Sequence, residues 1–433
     1  MVIGATIRNL NLEAVAGEES YVERVLNQKL TVDEFDILYE EADKIGVTDE
    51  FKRIMKEYPM PDGETPAGFE VQLELSADRV VRANLKRNIS YGKNGIKRPT
   101  NLLFSADSAN PYEIEPIAPL LANLTCNPGI IYDLFINNPK ANVGGKFKTR
   151  DEVMAEIGRI LGPGCDISVE LNDPFGKSDE ELLEEAQHFA DLLGKDRVVI
   201  KVPHTGPVNK DNVGQLLTGD KKLDQRYDAG SVEDAFRGHR IALLMKEHGF
   251  RVNFTLMFDP TQTQLALQAQ PYFINSFIRH RYMQSQTMDK CLKLYESSGD
   301  RKYLEELKAF MQEKDYYKKG EDPDLMAVKA TAELLLKQRH FHDEEGSDGL
   351  DGVRHNLRVL RNCNLEDTRL ILCSMEGDWN YYDIDRLLAS DEFRDMAGRV
   401  VLTAEPQYLA RFSSSNQVVT YQRRFMNAAN GEK

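Results

Sequence analysis

The sequence predicts an α/β fold: a TIM-type (β/α)8 barrel over residues 101–433, with an N-terminal extension and helical insertions. Three observations carry that expectation. Eight short apolar segments alternate with amphipathic ones beyond residue 100. No G-x-G-x-x-G or G-x-x-x-x-G-K-S/T turn follows the first of them, as an open nucleotide-binding sheet would require. Polar residues gather at the carboxyl ends of successive strands. The 433 residues exceed the about 250 that such a barrel needs, so substantial additions are expected.

Residues 1–100 read as an extension around the barrel. Thr31 and Glu34 have capping-box spacing, FDILYEEADKI (35–45) follows with apolar residues at helical spacing, and Gly46 offers a stop. A second helix is expected from Thr48 to Tyr58. Pro and Gly crowd PMPDGETPAG (59–68), a linker, and VQLELSADRVVRANL (71–85) reads as a hairpin.

The barrel strands are expected at LLFSA (102–106), ANLTC (122–126), DISVEL (166–171), RVVIKV (197–202), RVNFTLMF (251–258), YFINSFI (272–278), TRLILCS (368–374) and RVVLTA (399–404). Between them, Ser178 with Glu181 opens a helix that Gly194 closes, and Ser231 opens one that Gly249 closes. Residues 206–230, which follow the fourth strand, are read as a lid. Residues 282–366 read as several helices, with the loop DEEGSDGLDG (343–352) exposed.

A net charge of −15, from 55 basic and 70 acidic residues, argues against nucleic acid as a partner. No run of about 18 apolar residues is present, so no membrane span is expected. Five dispersed cysteines without a C-x-x-C pair read as reduced thiols, and the start of the chain lacks a signal-peptide pattern; a cytoplasmic location is the expectation.

Strands covered on both faces should be apolar, so ionisable groups within them need a reason. Lys201 alternates with Ile200 and Val202 and would therefore point into the barrel, where burial is expected to lower its pKa and free an amine for Schiff-base formation. A lysine reaching solvent at a strand end is the plain alternative. Glu170 shares a face with Ser168, and Asn253 shares one with Thr255; Asp107 and Asn127 end the first two strands. Five successive strands thus carry polar groups where barrel enzymes build their sites.

With these pieces in order, the chain resembles the transaldolase family of class I aldolases. The matching segments are FSADSANPYEI (104–114), LTCNPGI (124–130), ISVEL (167–171), VVIKVPHT (198–205), VNFTLMF (252–258), EDP (321–323), and the closing RLILCS and VVLTAEPQYL. They span roughly residues 101–411. The resemblance implies Lys201 as Schiff-base nucleophile and Glu170 as proton carrier through a water held by Thr255. It implies Asp107 as the base on the C4 hydroxyl, and Asn127 and Asn253 as ligands of a dihydroxyacetone fragment. It implies neither metal nor cofactor, and a sugar or sugar phosphate as substrate; oligomeric state stays open.

Two departures stand out. Family members hold phosphate with an Arg after the sixth strand, in a pattern like SPFVGR, and with another two residues after a Ser ending the seventh. Here Asn275 replaces the first Ser and His280 occupies the Arg position, flanked by Arg279 and Arg281. Ser374 is kept, but Glu376 stands where the second Arg should be. A carboxylate there would repel a phosphate by about 1–4 kcal/mol at ~4 Å. A weakened or rebuilt anion site is expected, with Arg279, Arg281 and His204 as its candidates. A class I aldolase lyase on a non-phosphorylated or modified sugar and a catalytically silent binding barrel are the competing readings.

His340, His342 and Asp343 are read as solvated surface rather than a metal site, and Cys126 as an apolar filler. Trp379, Tyr381 and Tyr382 are either loop packing or part of a substrate entrance.

Overall fold

A computed structural model describes residues 4–375 and 378–431. Its centre is a closed barrel of eight parallel strands. They are β1 (Leu103–Asp107), β2 (Leu121–Cys126), β3 (Asp166–Glu170), β4 (Val198–Pro203), β5 (Arg251–Thr255), β6 (Phe273–Phe277), β7 (Arg369–Cys373) and β8 (Val400–Ala404). Each pairs with the next in chain order, and β8 pairs with β1. All eight expected segments are strands. The fifth is shorter than its apolar run because Leu256 turns into the left-handed region at φ 59, and the seventh stops before Ser374 at φ 55.

Alternation sorts the strand residues as expected. Ile167, Val169, Ile200, Val202, Val252, Phe254, Leu370 and Leu372 face the helices and form the main core with them. Burying each such side chain is worth about 1.5–3 kcal/mol. Inside the barrel, Leu103, Ala122, Val199, Phe273, Ile371 and Val401 make an apolar floor. Ile89, from the N-terminal segment, is fully buried among them and plugs the lower mouth.

The first hundred residues have a core of their own, around Ile45, Phe51, Ile54, Phe69, Val81 and Leu85. The expected hairpin is present as Phe69–Leu75 against Val80–Arg87, and Lys44–Val47 adds in parallel to its second strand. That added strand corrects the expectation for Gly46. The helix opened by Thr31 ends at Glu41, and Gly46 sits within the strand, where a Cβ would lie 2.5 Å from Glu18 Oε2. This carboxylate accepts a hydrogen bond from Val47 N at 2.8 Å, so glycine serves close approach rather than helix termination. The second helix, Asp49–Glu57, is capped by Thr48 as expected.

This extension docks on the amino ends of the barrel strands. Arg98 donates to the carbonyls of Leu121 and Gly164, and Arg369 on β7 donates to Asn88 and Ser90.

The helix capped by Ser178 runs Asp179–Leu193 and ends at Gly194 (φ 92). The helix expected from Ser231 is split into Val232–Ala235 and Arg237–Glu247. A Cβ on Gly238 would stand 2.2 Å from the Pro203 carbonyl, so the second piece lies directly against the end of β4. Helices Arg279–Ser298, Lys302–Glu313 and Leu325–Gln338 pack on one another through Met288, Leu304, Leu307, Val328 and Ala332. Lys222 and Asp315, and Lys319 and Asp220, tie this helical insertion to residues 206–230. The loop 343–352 is not exposed throughout: Leu350 is fully buried and Asp351 nearly so.

Candidate active site

Lys201 lies near the upper end of β4 with 6% of its surface exposed. Its neighbours in register are Glu170 on β3 and Asn253 on β5. Nζ stands 3.1 Å from Glu170 Oε2 and donates to the Cys126 carbonyl at 3.2 Å. Burial alone would lower the lysine pKa, but the fields of Glu170 and Asp107 outweigh it, and the group is raised. The expectation of a depressed lysine is thereby corrected. The amine rests as an ammonium, and a carboxylate must take its proton before it can attack a carbonyl.

Asp107, at the end of β1, is affected in the opposite sense. Burial pushes its carboxyl up to about 6, Lys201 opposes this, and Glu405 and Glu170 add to it. The site therefore holds two carboxylates in different environments beside one amine, which suits acid and base roles at neutral pH.

Beneath these charges runs a chain of buried polar side chains. Asn123 donates to Ser105, Ser168 to Asn123, Asn253 to Ser168, and Asn275 to Asn253 at 2.6 Å. Asn275 also donates to the Phe254 carbonyl. Asn253, the register neighbour of Lys201, is thus fixed in orientation by Asn275 on the next strand. Thr255 ends β5 opposite Pro203 and is 2% exposed. Asn127 follows β2, and its Oδ1 accepts from Ile130 N at 2.9 Å.

Two supports escaped the sequence reading. Arg150, 5% exposed, donates to the Glu170 carbonyl and to Asn172, and pairs with Glu185, fixing the end of β3. Thr205 accepts from Gly238 N and donates to the Asp234 carbonyl, fixing the turn after β4. Nothing in the periodicity marks either one, because both act through segments distant in sequence.

A pocket beside Asp107 is lined by Arg279, Ser374, Tyr381, Thr403 and Glu405. Arg279 N donates to the Ser374 carbonyl at 2.6 Å, joining the ends of β6 and β7. The left-handed backbone of Ser374 is a conformation that non-glycine residues hold at a cost of about 1–3 kcal/mol, typical of functional turns. The Arg279 side chain makes no ion pair with any described residue. Of the aromatic trio, Tyr381 lines the pocket, while Trp379 and Tyr382 are exposed.

Arg281 is not part of this group, contrary to expectation. It pairs with Asp351 at 2.5 Å and with Asp259 at 3.1 Å, on the side of the helical insertion. His204 packs on Phe254, and burial pushes its pKa down to about 4, so it supplies no positive charge. Glu376 lies outside the described residues. Cys126 is the apolar filler expected: buried, with its thiol pushed up to about 11 by desolvation. His340 and His342 pair with Asp343 and Asp289 at the surface.

The sequence model of a family described as transaldolase/fructose-6-phosphate aldolase matches residues 104–319. That stretch holds Asp107, Asn127, Glu170, Lys201, Asn253, Thr255, Asn275 and Arg279. No curated protein matches the chain. Among solved structures, a putative lactate oxidase of Pediococcus acidilactici is 10% identical with a TM-score of 0.32, over 73% of this chain and 66% of that one. A likeness of that size carries no argument about function. No described helix is long and apolar enough to cross a membrane.

Proposed function

Because the chain is a divergent member of the transaldolase/fructose-6-phosphate aldolase family, we propose that it transfers a three-carbon dihydroxyacetone unit from a ketose to an aldehyde through a Schiff base on Lys201. The observation that carries this reading is the buried amine held between Glu170 and Asp107.

Glu170 takes the Lys201 proton, and the neutral amine adds to the ketone carbon of the substrate. Glu170, through a water held by Thr255, returns a proton to the carbinolamine oxygen, which leaves as water and gives the iminium. Asp107 then removes the C4 hydroxyl proton. The C3–C4 bond breaks, its electrons pass to the iminium nitrogen, and the first aldehyde departs. The enamine left on Lys201 is held by Asn127 and Asn253, with Asn275 orienting Asn253. It attacks the carbonyl of a second aldehyde, Asp107 returns its proton to the new alkoxide, and water releases the product.

Lyase activity results when the enamine is protonated in place of attacking an acceptor. The same residues serve both outcomes, so the balance depends on the lifetime of the enamine in the presence of water. An anionic tail, phosphate included, is received by Arg279 near Ser374. With Arg281 committed to Asp351, one described arginine serves this role, and a phosphorylated substrate gains less from it than from a pair.

Borohydride reduction in the presence of dihydroxyacetone or fructose 6-phosphate, followed by peptide mass spectrometry, tests the reading. A three-carbon or ketose adduct on Lys201 is expected. Absence of any adduct with both compounds would overturn it.

A further inference from the structure

We propose that the end of β8 is the subsite that reads the hydroxyl groups of the aldehyde partner, with Thr403 and Glu405 as its specificity-determining residues. The inference rests on the Schiff-base reading above and concerns the half of the substrate that does not stay on the enzyme.

Thr403 alternates with Val401, which belongs to the barrel floor, and pairs in register with Ser105 on β1. Its side chain therefore points into the barrel and reaches the pocket beside Asp107. It is 2% exposed, and its hydroxyl has no hydrogen-bond partner among the described residues. The inward polar residues Ser105, Asn123, Ser168, Asn253 and Asn275 satisfy one another. A buried hydroxyl left out of such a chain, on the wall of an open pocket, is suited to a ligand.

Glu405 is two residues further along and lines the same pocket. Neither Glu405 nor Arg279 forms an ion pair with any described residue, although both border one pocket. Opposite charges that do not meet remain available to a molecule placed between them. A carboxylate only accepts hydrogen bonds and so recognises hydroxyl donors. Glu405 and Asp107 line one pocket, and the Glu405 charge helps to raise the Asp107 pKa.

Strand order assigns the role. Lys201 is on β4, Asp107 on β1 and Thr403 on β8, the neighbour of β1 opposite to β2. A ketose bound to Lys201 through C2, with its C4 hydroxyl at Asp107, extends C5 and beyond over β8 toward Arg279. The partner is thus a polyhydroxylated aldehyde, its hydroxyls on Thr403 and Glu405 and any anionic end on Arg279.

The test uses the full chain with dihydroxyacetone as donor and two three-carbon acceptors, glyceraldehyde and propanal, which differ only in hydroxyl groups. The readout is the ratio of their kcat/KM values. The wild type is expected to favour glyceraldehyde. Thr403→Val and Glu405→Gln should each lower the ratio by about tenfold or more, and Thr403→Ser should restore it, because a buried polar site discriminates for the hydroxyl it binds. Glu405 is exposed, so its variant tests the idea even where Thr403→Val folds poorly. A ratio unchanged in both variants, or a wild type that does not distinguish the two acceptors, overturns the inference. If the Lys201 adduct still forms, the Schiff-base reading survives that result; absence of any adduct overturns both.

Discussion

Asp166 and Asp107 stand at opposite ends of the same barrel, and their surroundings treat charge in opposite ways. At the lower mouth, Asp166 is fully buried and accepts hydrogen bonds from Arg87 and Arg251 at 2.7–3.0 Å. Burial alone would raise its pKa, but the two guanidinium groups outweigh this and hold it below the usual carboxylate range. At the upper mouth, Asp107 has one ammonium nearby, shared with Glu170, and its pKa is raised to about 6. The lower end is over-supplied with cations and sealed by Ile89; the upper end is over-supplied with carboxylates and opens into a pocket. Complete satisfaction builds stability, whereas incomplete satisfaction leaves groups poised to exchange protons.

The largest effect expected from breaking this contrast is at Lys201. Lys201→Met should abolish adduct formation and reduce turnover by about 10⁴-fold or more, read by steady-state assay and mass spectrometry, since it removes the buried amine beside Glu170 on which the Schiff base would form. At the other end, Asp166→Ala leaves Arg87 and Arg251 facing each other without their carboxylate. A loss of about 3–5 kcal/mol in denaturant unfolding is expected, with kcat in the folded protein changed by no more than about twofold. A large fall in kcat without a fall in stability would show that the lower end takes part in the chemistry.

Proton linkage separates the ends more finely. Asp107 has a folded pKa of about 6 against an ordinary value of 3.8, so it stabilises the fold only below its unfolded pKa, and that contribution is lost as pH rises through about 6. Asp107→Asn should therefore match the wild-type unfolding free energy near pH 4 and exceed it above pH 6, by about 1–3 kcal/mol. Asp166 has the opposite sign: its stabilisation is present above its unfolded pKa and lost as acid lowers the pH through its depressed folded pKa. In activity, ionised Asp107 is the base, so wild-type kcat/KM should fall about tenfold per unit below pH ~6. An unchanged acid limb in Asp107→Asn would remove it from that role.

Much of the barrel was legible because a parallel strand covered on both faces must alternate between helix-facing and inward positions. That rule isolated Lys201 and Glu170. Applied to VVLTAE it also points inward at Thr403 and Glu405, so the β8 residues carry the same signal. Arg279 and Arg281 could not be told apart in the same way. Two positions apart on a helix they are about 200° apart around its axis, and the structure turns one to the pocket and the other to Asp351. Gly46 misled because glycine signals both helix ends and tight packing, and the Glu18 carboxylate that decides the matter comes from another segment.

By itself the sequence determined the strand count, the inward direction of the reactive lysine and the family to which the chain belongs, since these depend on local periodicity and on short motifs. Only the tertiary structure decided the charge state of Lys201, the raised proton affinity of Asp107 and the arginine that faces the pocket. Each of these depends on distances and desolvation among side chains from different strands, and electrostatic energy is a function of those distances rather than of residue order.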